Sequence, residues 1–410
     1  MSVQLDQLTG MIDRINAFNA TPGRGITRLT FTPQYEAARR YLVEEMEALG
    51  LTVHVDDIGN LFGTLEGADP SLPAVMAGSH IDTVNHGGRY DGVVGTVAAV
   101  ESARRMIREG IKPRHSFVVA VFAEEEGSRF GQVMAGSRAL TGLLDRQTLY
   151  ALTDADGTRY GEAMENADLK NINRCPSPGN IKCMLEAHIE QSVVLEQRSK
   201  VVGIVQSIAG IQQAAVTVEG NANHAGATPM AMRSDALAAA AEMITAIEDA
   251  GSCGAGPSTV ATVGSIDCEP NVSNVIPGLC RFSLDVRDSD AEILTHAVSE
   301  IRSLCSGIGE RRGVGVTFTE KPRTEPVTLS RTIGQIFEAS ARKRKLPYLW
   351  MPSGAVHDAA VMAQITEVGM LFVPSHNGRS HVPEEFTAAE DILAGVDVFS
   401  DAVISLCGGS

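Results

Sequence analysis

The stretch Ser116-Phe117-Val118-Val119-Ala120-Val121-Phe122-Ala123-Glu124-Glu125-Glu126-Gly127 decides how the chain is read. Seven residues without a charge, rich in valine and phenylalanine, predict a strand buried on both faces, the pattern of a central strand in a parallel sheet. Three carboxylates follow at once. Side by side they repel; a solvated loop tolerates that, and a divalent cation removes it. A core strand that delivers them suits a site, with one glutamate free to ligate and its neighbour to act as a base.

Outward from this strand the pattern is α/β. Upstream, 35–49 carries apolar residues at helical spacing up to Gly50. Val53–Val55 and Leu61–Leu65 read as strands, 74–79 as a buried strand, and 93–108 as a small-residue helix. Downstream, 181–185 is a strand. From Gln212 the order is strand (212–219), helix (233–247), strands (259–266 and 278–285), helix (291–304) and strand (313–319). That β-α-β-β-α-β order is ferredoxin-like and self-contained. A helix (333–344), a strand (369–373) and a closing helix (388–406) then return to the first style. The expectation is an α/β catalytic domain over 1–209 and 327–410, with an inserted α+β domain over 210–326. A chain of 410 residues exceeds what a single core usually supports.

Composition narrows the function. Asp+Glu number 50 against 34 Lys+Arg, a net charge of -16, and such a surface repels phosphate backbones, so no nucleic-acid partner is expected. No apolar run is long enough to span a membrane. The first residues, Met1-Ser2-Val3-Gln4-Leu5-Asp6, lack a basic segment before an apolar one, so no secretory signal is expected. The seven cysteines, at 175, 183, 253, 268, 280, 305 and 407, form no C-x-x-C pair. They read as small buried hydrophobes in a reducing, cytoplasmic compartment.

Other strand ends also carry donors. His80 and Asp82 close Gly78-Ser79-His80-Ile81-Asp82-Thr83-Val84, where His80 offers a ring nitrogen to a metal and Asp82 a carboxylate to the other ring N–H. Asp91 sits in Gly87-Gly88-Arg89-Tyr90-Asp91-Gly92. His188 lies in Glu186-Ala187-His188-Ile189-Glu190-Gln191, expected after the 181–185 strand. His381 lies in Ser380-His381-Val382-Pro383-Glu384-Glu385. Each alone reads as an ordinary loop residue. Together, four strands ending in nitrogen and oxygen donors without sulfur suit Zn²⁺, Mn²⁺ or Co²⁺.

These motifs, with Glu125-Glu126-Gly127-Ser128-Arg129-Phe130 and His224-Ala225-Gly226-Ala227-Thr228-Pro229-Met230, resemble those of the hydantoinase/carbamoylase family. These binuclear metal amidohydrolases lie within the aminoacylase-like zinc exopeptidase superfamily and include N-carbamoyl-L-amino acid hydrolases, β-ureidopropionases and allantoate amidohydrolases. The resemblance covers nearly the whole chain, in order. It implies a mixed-sheet catalytic domain with an inserted lid or dimerisation domain, and closure between the two.

The resemblance also implies two divalent ions per chain (Zn, Mn, Co or Ni). His80 and His188 would hold one, Glu126 and His381 the other, and Asp91 would bridge them. Glu125 would be the general base beside Asp82, acting on a metal-bridging hydroxide. His224 would reach the active site of the other subunit of a homodimer. Gln191, Asn274, Arg287 and Gly354 would bind a small carboxylate substrate. Cleavage of a ureido bond in an N-carbamoyl amino acid is the implied reaction, with allantoate or a non-ureido N-acyl amide as alternatives. The chain departs from the family pattern at Ser192-Val193 (usually glycine-proline), Val356 (usually glycine), Arg379 (often apolar) and Asn223 (often aspartate). None of these is an implied metal ligand; the departures bear on which substrate is taken.

Overall fold

The computed structural model describes residues 3–167, 173–174, 179–253, 256 and 258–408. The chain divides into two compact units, one of Met1–Gln206, Leu329–Met351 and Val356–Ser410, the other of Ser207–Thr328 and Pro352–Ala355.

The larger unit is built on a mixed sheet. Four neighbouring strands at its centre, Glu367–Val373, Ile181–Ile189, Ala74–His80 and Phe117–Phe122, are parallel in that order. Antiparallel strands flank them, Val202–Ile208 on one side and Leu61–Leu65 then Thr52–Val55 on the other. The fold is therefore α/β with a mixed sheet. Every residue of Phe117–Phe122 is buried, as its apolar run predicts. Helix Val93–Arg108 packs against the Ala74–His80 strand and against the closing helix Ala389–Leu406. Val93, Val97, Val100, Ala103 and Met106 of the first helix join the core. At helix Pro33–Ala48 the Thr32 side chain accepts the Tyr35 N–H, and Pro33 sits in the first turn, where no amide hydrogen is needed.

The smaller unit has a sheet in the spatial order Val260–Thr262, Leu279–Asp288, Gly210–Glu219, Gly315–Glu320, all antiparallel. Helices Ala236–Cys253 and Ala291–Arg312 cover it. Its core joins Val216, Val218, Met243, Phe282, Leu284 and Ile301.

Several elements differ from expectation. The Ile181 strand continues to Ile189 rather than stopping at 185, so Glu186 and His188 lie within it. Both are buried on one face by the two-residue repeat. The strand expected over 259–266 is two pieces, Val260–Thr262 and Ile266–Glu269, which pair with successive parts of Leu279–Asp288. The helix expected from 233 begins at Ala236, after a short turn of 3₁₀ helix at Met230–Met232. An amphipathic first helix, Val3–Ala17, buries Leu5, Leu8, Met11, Ile12 and Ile15. Cys183, Cys280, Cys305 and Cys407 are buried and Cys268 is half-buried. Cys175 and the Cys253 side chain lie outside the described residues.

Candidate metal centre

The four parallel strands share one carboxyl edge, where functional groups of α/β sheets collect. His80 is the last residue of its strand, Glu124–Glu126 follow Phe122, His188 is the penultimate residue of its strand, and the His381 loop follows Val373. Hydrogen-bond registry aligns the ends, with His80 opposite Phe122 and His188 opposite Phe372. Three residues of these strand-end segments take left-handed backbone, Glu124 at φ 56, Gln191 at φ 58 and His381 at φ 60. Such conformations cost energy and cluster where a fold aims a side chain.

Asp91 is the hub. Its Oδ1 is 3.4 Å from His80 Nε2 and 3.1 Å from His188 Nε2, and its Oδ2 is 3.2 Å from His381 Nε2. His381 Nε2 is also 3.6 Å from Glu126 Oε2. Two groups of potential ligand atoms result, His80–Asp91–His188 and Asp91–Glu126–His381, each within 4.8 Å. A third, Glu186–His188–His357, is equally compact, but the Glu186 oxygens accept from Ser79 Oγ at 2.7 Å and from the Ala359 N–H at 2.9 Å.

The ring tautomers indicate what belongs between these groups. His80 Nδ1 lies 3.0 Å from the main-chain oxygen of Asp82, and His188 Nδ1 2.9 Å from that of Ile189. A carbonyl only accepts, so both Nδ1 atoms carry a hydrogen, and Nε2 is the ring atom turned toward Asp91 in each. The Gly92 N–H also points at His188 Nε2, at 3.3 Å. Unprotonated, the two Nε2 atoms present lone pairs to the Asp91 carboxylate, an arrangement that repels until a proton or a divalent cation lies among them. An imidazole and carboxylate set without sulfur fits Zn²⁺, Mn²⁺, Co²⁺ or Ni²⁺.

The electrostatics agree. Burial and neighbouring acids raise the pKa of Glu126 to about 7 and that of Asp358 to about 8, and they hold Glu125 well above the usual carboxylate range. Burial would lower the pKa of His80, yet Glu125, Asp91 and Asp82 hold it well above its ordinary value. Asp91 is held well below the carboxylate range, against burial, by His188, His381 and His80. A concentrated negative charge that draws protons onto its histidines is one that binds divalent cations.

Glu125 is buried, with Oε2 3.6 Å from His80 Nε2. Asp82 differs from expectation in one respect. The atom nearest the His80 ring hydrogen is its main-chain oxygen, and its carboxylate is 3.7 Å away. That carboxylate instead accepts the N–H groups of Glu125 at 3.3 Å and Glu126 at 3.1 Å. Asp82 thereby fixes the turn that separates the two glutamates. The Glu124 side chain turns away and accepts from the N–H groups of Arg129 and Phe130. Gln191 donates to Asp91 Oδ2 at 2.7 Å.

His224, Asn274, Arg287 and Gly354 belong to the smaller unit. His224 is exposed, and its Nδ1 accepts from the N–H groups of Gly226 at 3.0 Å and Ala227 at 3.2 Å. Its proton therefore sits on Nε2, as a free-standing donor. The preceding Asn223 accepts the His224 N–H at 2.8 Å, as an aspartate there could. Asn274 is exposed, and its main-chain oxygen accepts from the Ala225 N–H at 3.0 Å. Arg287 donates through Nε to Asp285 at 2.8 Å and through Nη1 to the Gly354 oxygen at 3.0 Å. Arg379 is exposed, with Nη1 4.0 Å from Glu384.

Residues 76–405 match the Peptidase family M20/M25/M40. The chain is 38% identical to an N-carbamoyl-L-amino-acid amidohydrolase of Paenarthrobacter aurescens over 96% of each chain. The chain belongs to the hydantoinase/carbamoylase branch of this family. It is 34% identical to an allantoate amidohydrolase of Bacillus subtilis, over 98% of this chain and 97% of that one. A solved hydantoinase/carbamoylase family amidase from Burkholderia multivorans superposes with a TM-score of 0.93 at 31% identity, covering 98% of this chain and 97% of that one. Members of this branch are metal-dependent amidohydrolases, and the chain is a hydrolase of carbon–nitrogen bonds in linear amides. No described helix is long and apolar enough to cross a membrane.

Sequence reading missed buried carboxylates that pack around the ligands. Glu186 stands two residues before His188 on the same strand face, and a carboxylate inside an apolar strand was a usable signal. Ser137 donates to Asp358 at 2.5 Å, a pairing that only the fold creates.

Proposed function

We propose that this enzyme hydrolyses the carbamoyl C–N bond of a small N-carbamoyl amino acid, releasing the free amino acid, CO₂ and ammonia. The observation that carries the reading is the buried Glu125 carboxylate beside two ligand groups that share Asp91. His80 and His188 would hold one divalent ion and Glu126 and His381 the other, with Asp91 common to both. Such ions, when bound, polarise a carbonyl and lower the pKa of water toward neutrality.

The chain's own residues do the rest. Glu125 removes a proton from the attacking water and returns it to the leaving nitrogen, so the amine departs neutral. The other product, carbamic acid, falls apart into CO₂ and ammonia. Asp82 holds the Glu125 and Glu126 backbone in place. Arg287, with Asn274, Gln191 and the Gly354 backbone, anchors the substrate carboxylate through its planar fork. The His224 Nε2–H donates to the developing oxyanion, across a homodimer interface. The likeness to an allantoate amidohydrolase supports a second substrate with the same chemistry, a diureido acid.

The test is ammonia release by the Mn²⁺-loaded protein from N-carbamoyl-L-amino acids, N-carbamoyl-β-alanine and allantoate in parallel. Release from an N-carbamoyl-L-amino acid is expected. Release from allantoate alone selects the second reading. Silence on all three with metal bound refutes ureido hydrolysis.

A further inference from the structure

Glu385 lies outside the ligand set and is 2% exposed. Its Oε1 accepts the Tyr90 N–H at 2.7 Å and the Asp91 N–H at 3.2 Å. Its Oε2 accepts from Ser380 Oγ at 2.9 Å, and that hydroxyl also lies 3.0 Å from Asp91 Oδ2. Both oxygens are thus engaged by the two loops, and Glu385 belongs to neither the His80–Asp91–His188 nor the Asp91–Glu126–His381 group. A β-carbon on Gly88 would come within 2.1 Å of the Glu385 carboxyl carbon, so the Gly87-Gly88 turn leaves room for this one side chain. The carboxylate ties the Asp91 loop to the Ser380–His381 loop, two segments remote in sequence. These segments contribute two of the three residues in the Asp91–Glu126–His381 group.

We infer that Glu385 is a positioning residue for that group, holding Asp91 and His381 at the separation a shared divalent ion requires. The inference rests on the proposed two-ion reading. It supplies an anchor for the His381 side chain, which is about half exposed: its loop is tied to the Asp91 loop by a buried carboxylate. The His80–Asp91–His188 group needs the clamp less, because His80 and His188 are already fixed by their strands.

Metal content and affinity of the wild type and Glu385→Ala, measured by elemental analysis and Mn²⁺ titration against a chelating indicator, test this. The variant should retain one ion and lose affinity for the second by roughly 10–100-fold, the usual effect of removing a residue that orients ligands. Glu385→Gln keeps a carbonyl for the two N–H groups and an amide for Ser380, and should restore the second ion. Equal loss of both ions, or no loss, overturns the inference. Should Glu385→Ala fail to fold, Ser380→Ala keeps the carboxylate and removes the hydroxyl that joins it to Asp91. It should weaken the second ion selectively, and unchanged binding there overturns the inference. A wild type that binds fewer than two ions per chain defeats the two-ion reading itself, and the inference with it.

Discussion

Replacing Gly92 with alanine should disable metal binding at His80–Asp91–His188 from a position that supplies no ligand side chain. Gly92 caps helix Val93–Arg108 at φ 65, ψ -40, a conformation that costs a side-chain-bearing residue about 1–3 kcal/mol. The new β-carbon would stand 2.5 Å from His80 Cε1 and Nδ1 and 2.6 Å from Nε2. That is about 1 Å inside an ordinary carbon contact of ~3.5 Å. The buried His80 ring is held at Nδ1 by the Asp82 carbonyl. Relief must move the ring away from Asp91 or move the Gly92 backbone, whose N–H points at His188. Ligand distances tolerate only about 0.2 Å, so either shift breaks the site. We expect affinity for the ion at His80–Asp91–His188 to fall at least ~100-fold. The metal-free protein should melt roughly 4–8 °C lower, from about 2 kcal/mol of strain at ~2–4 °C per kcal/mol. Gly110→Ala is the control: its φ is +67, but nothing lies within 4 Å of the added carbon. It should lower the melting temperature and leave metal binding untouched. A Gly92→Ala protein that binds metal as tightly as wild type refutes the placement of His80 in the centre.

Three further outcomes are expected. Glu125→Gln should bind metal fully yet turn over about 10²–10⁴-fold more slowly, the range for loss of a general base; retained turnover removes Glu125 from that role. Asp285 braces the Arg287 fork and itself accepts from Gln213 at 2.8 Å. Steady-state kinetics of Asp285→Asn should therefore show KM raised about 10-fold, ~1.4 kcal/mol, with kcat nearly constant, whereas a fall in kcat alone contradicts Arg287 as the carboxylate anchor. Burial raises the Asp401 pKa, but hydrogen bonds from Arg344, Ser340 and Arg105 outweigh it and lower it to about 2. A depressed folded pKa stabilises above the unfolded value near 3.9 and loses that effect as pH falls toward 2. Asp401→Asn should thus cost about 2 kcal/mol at pH 7 and much less at pH 3, read from urea midpoints; an equal cost at both refutes the assignment.

The alternation of elements and the donor residues were legible in the chain because both are local. An apolar run such as Phe117–Phe122 must be buried, and Glu125, Glu126, His80 and His188 announce themselves as polar groups at the ends of such runs. Reading the Ile181 strand as ending at 185 failed because Glu186 and His188 looked like loop residues, whereas the site itself supplies partners that let a strand bury them. What only the tertiary structure decided is pairing at a distance. Asp91 meets His381, Glu385 meets the Tyr90 and Asp91 N–H groups, and Asp82 turns its carboxylate to the Glu125 and Glu126 backbone rather than to His80. Residue types and local spacing state which groups carry charge and which must be buried. The distances among them follow from strand order and loop closure, which no local pattern encodes.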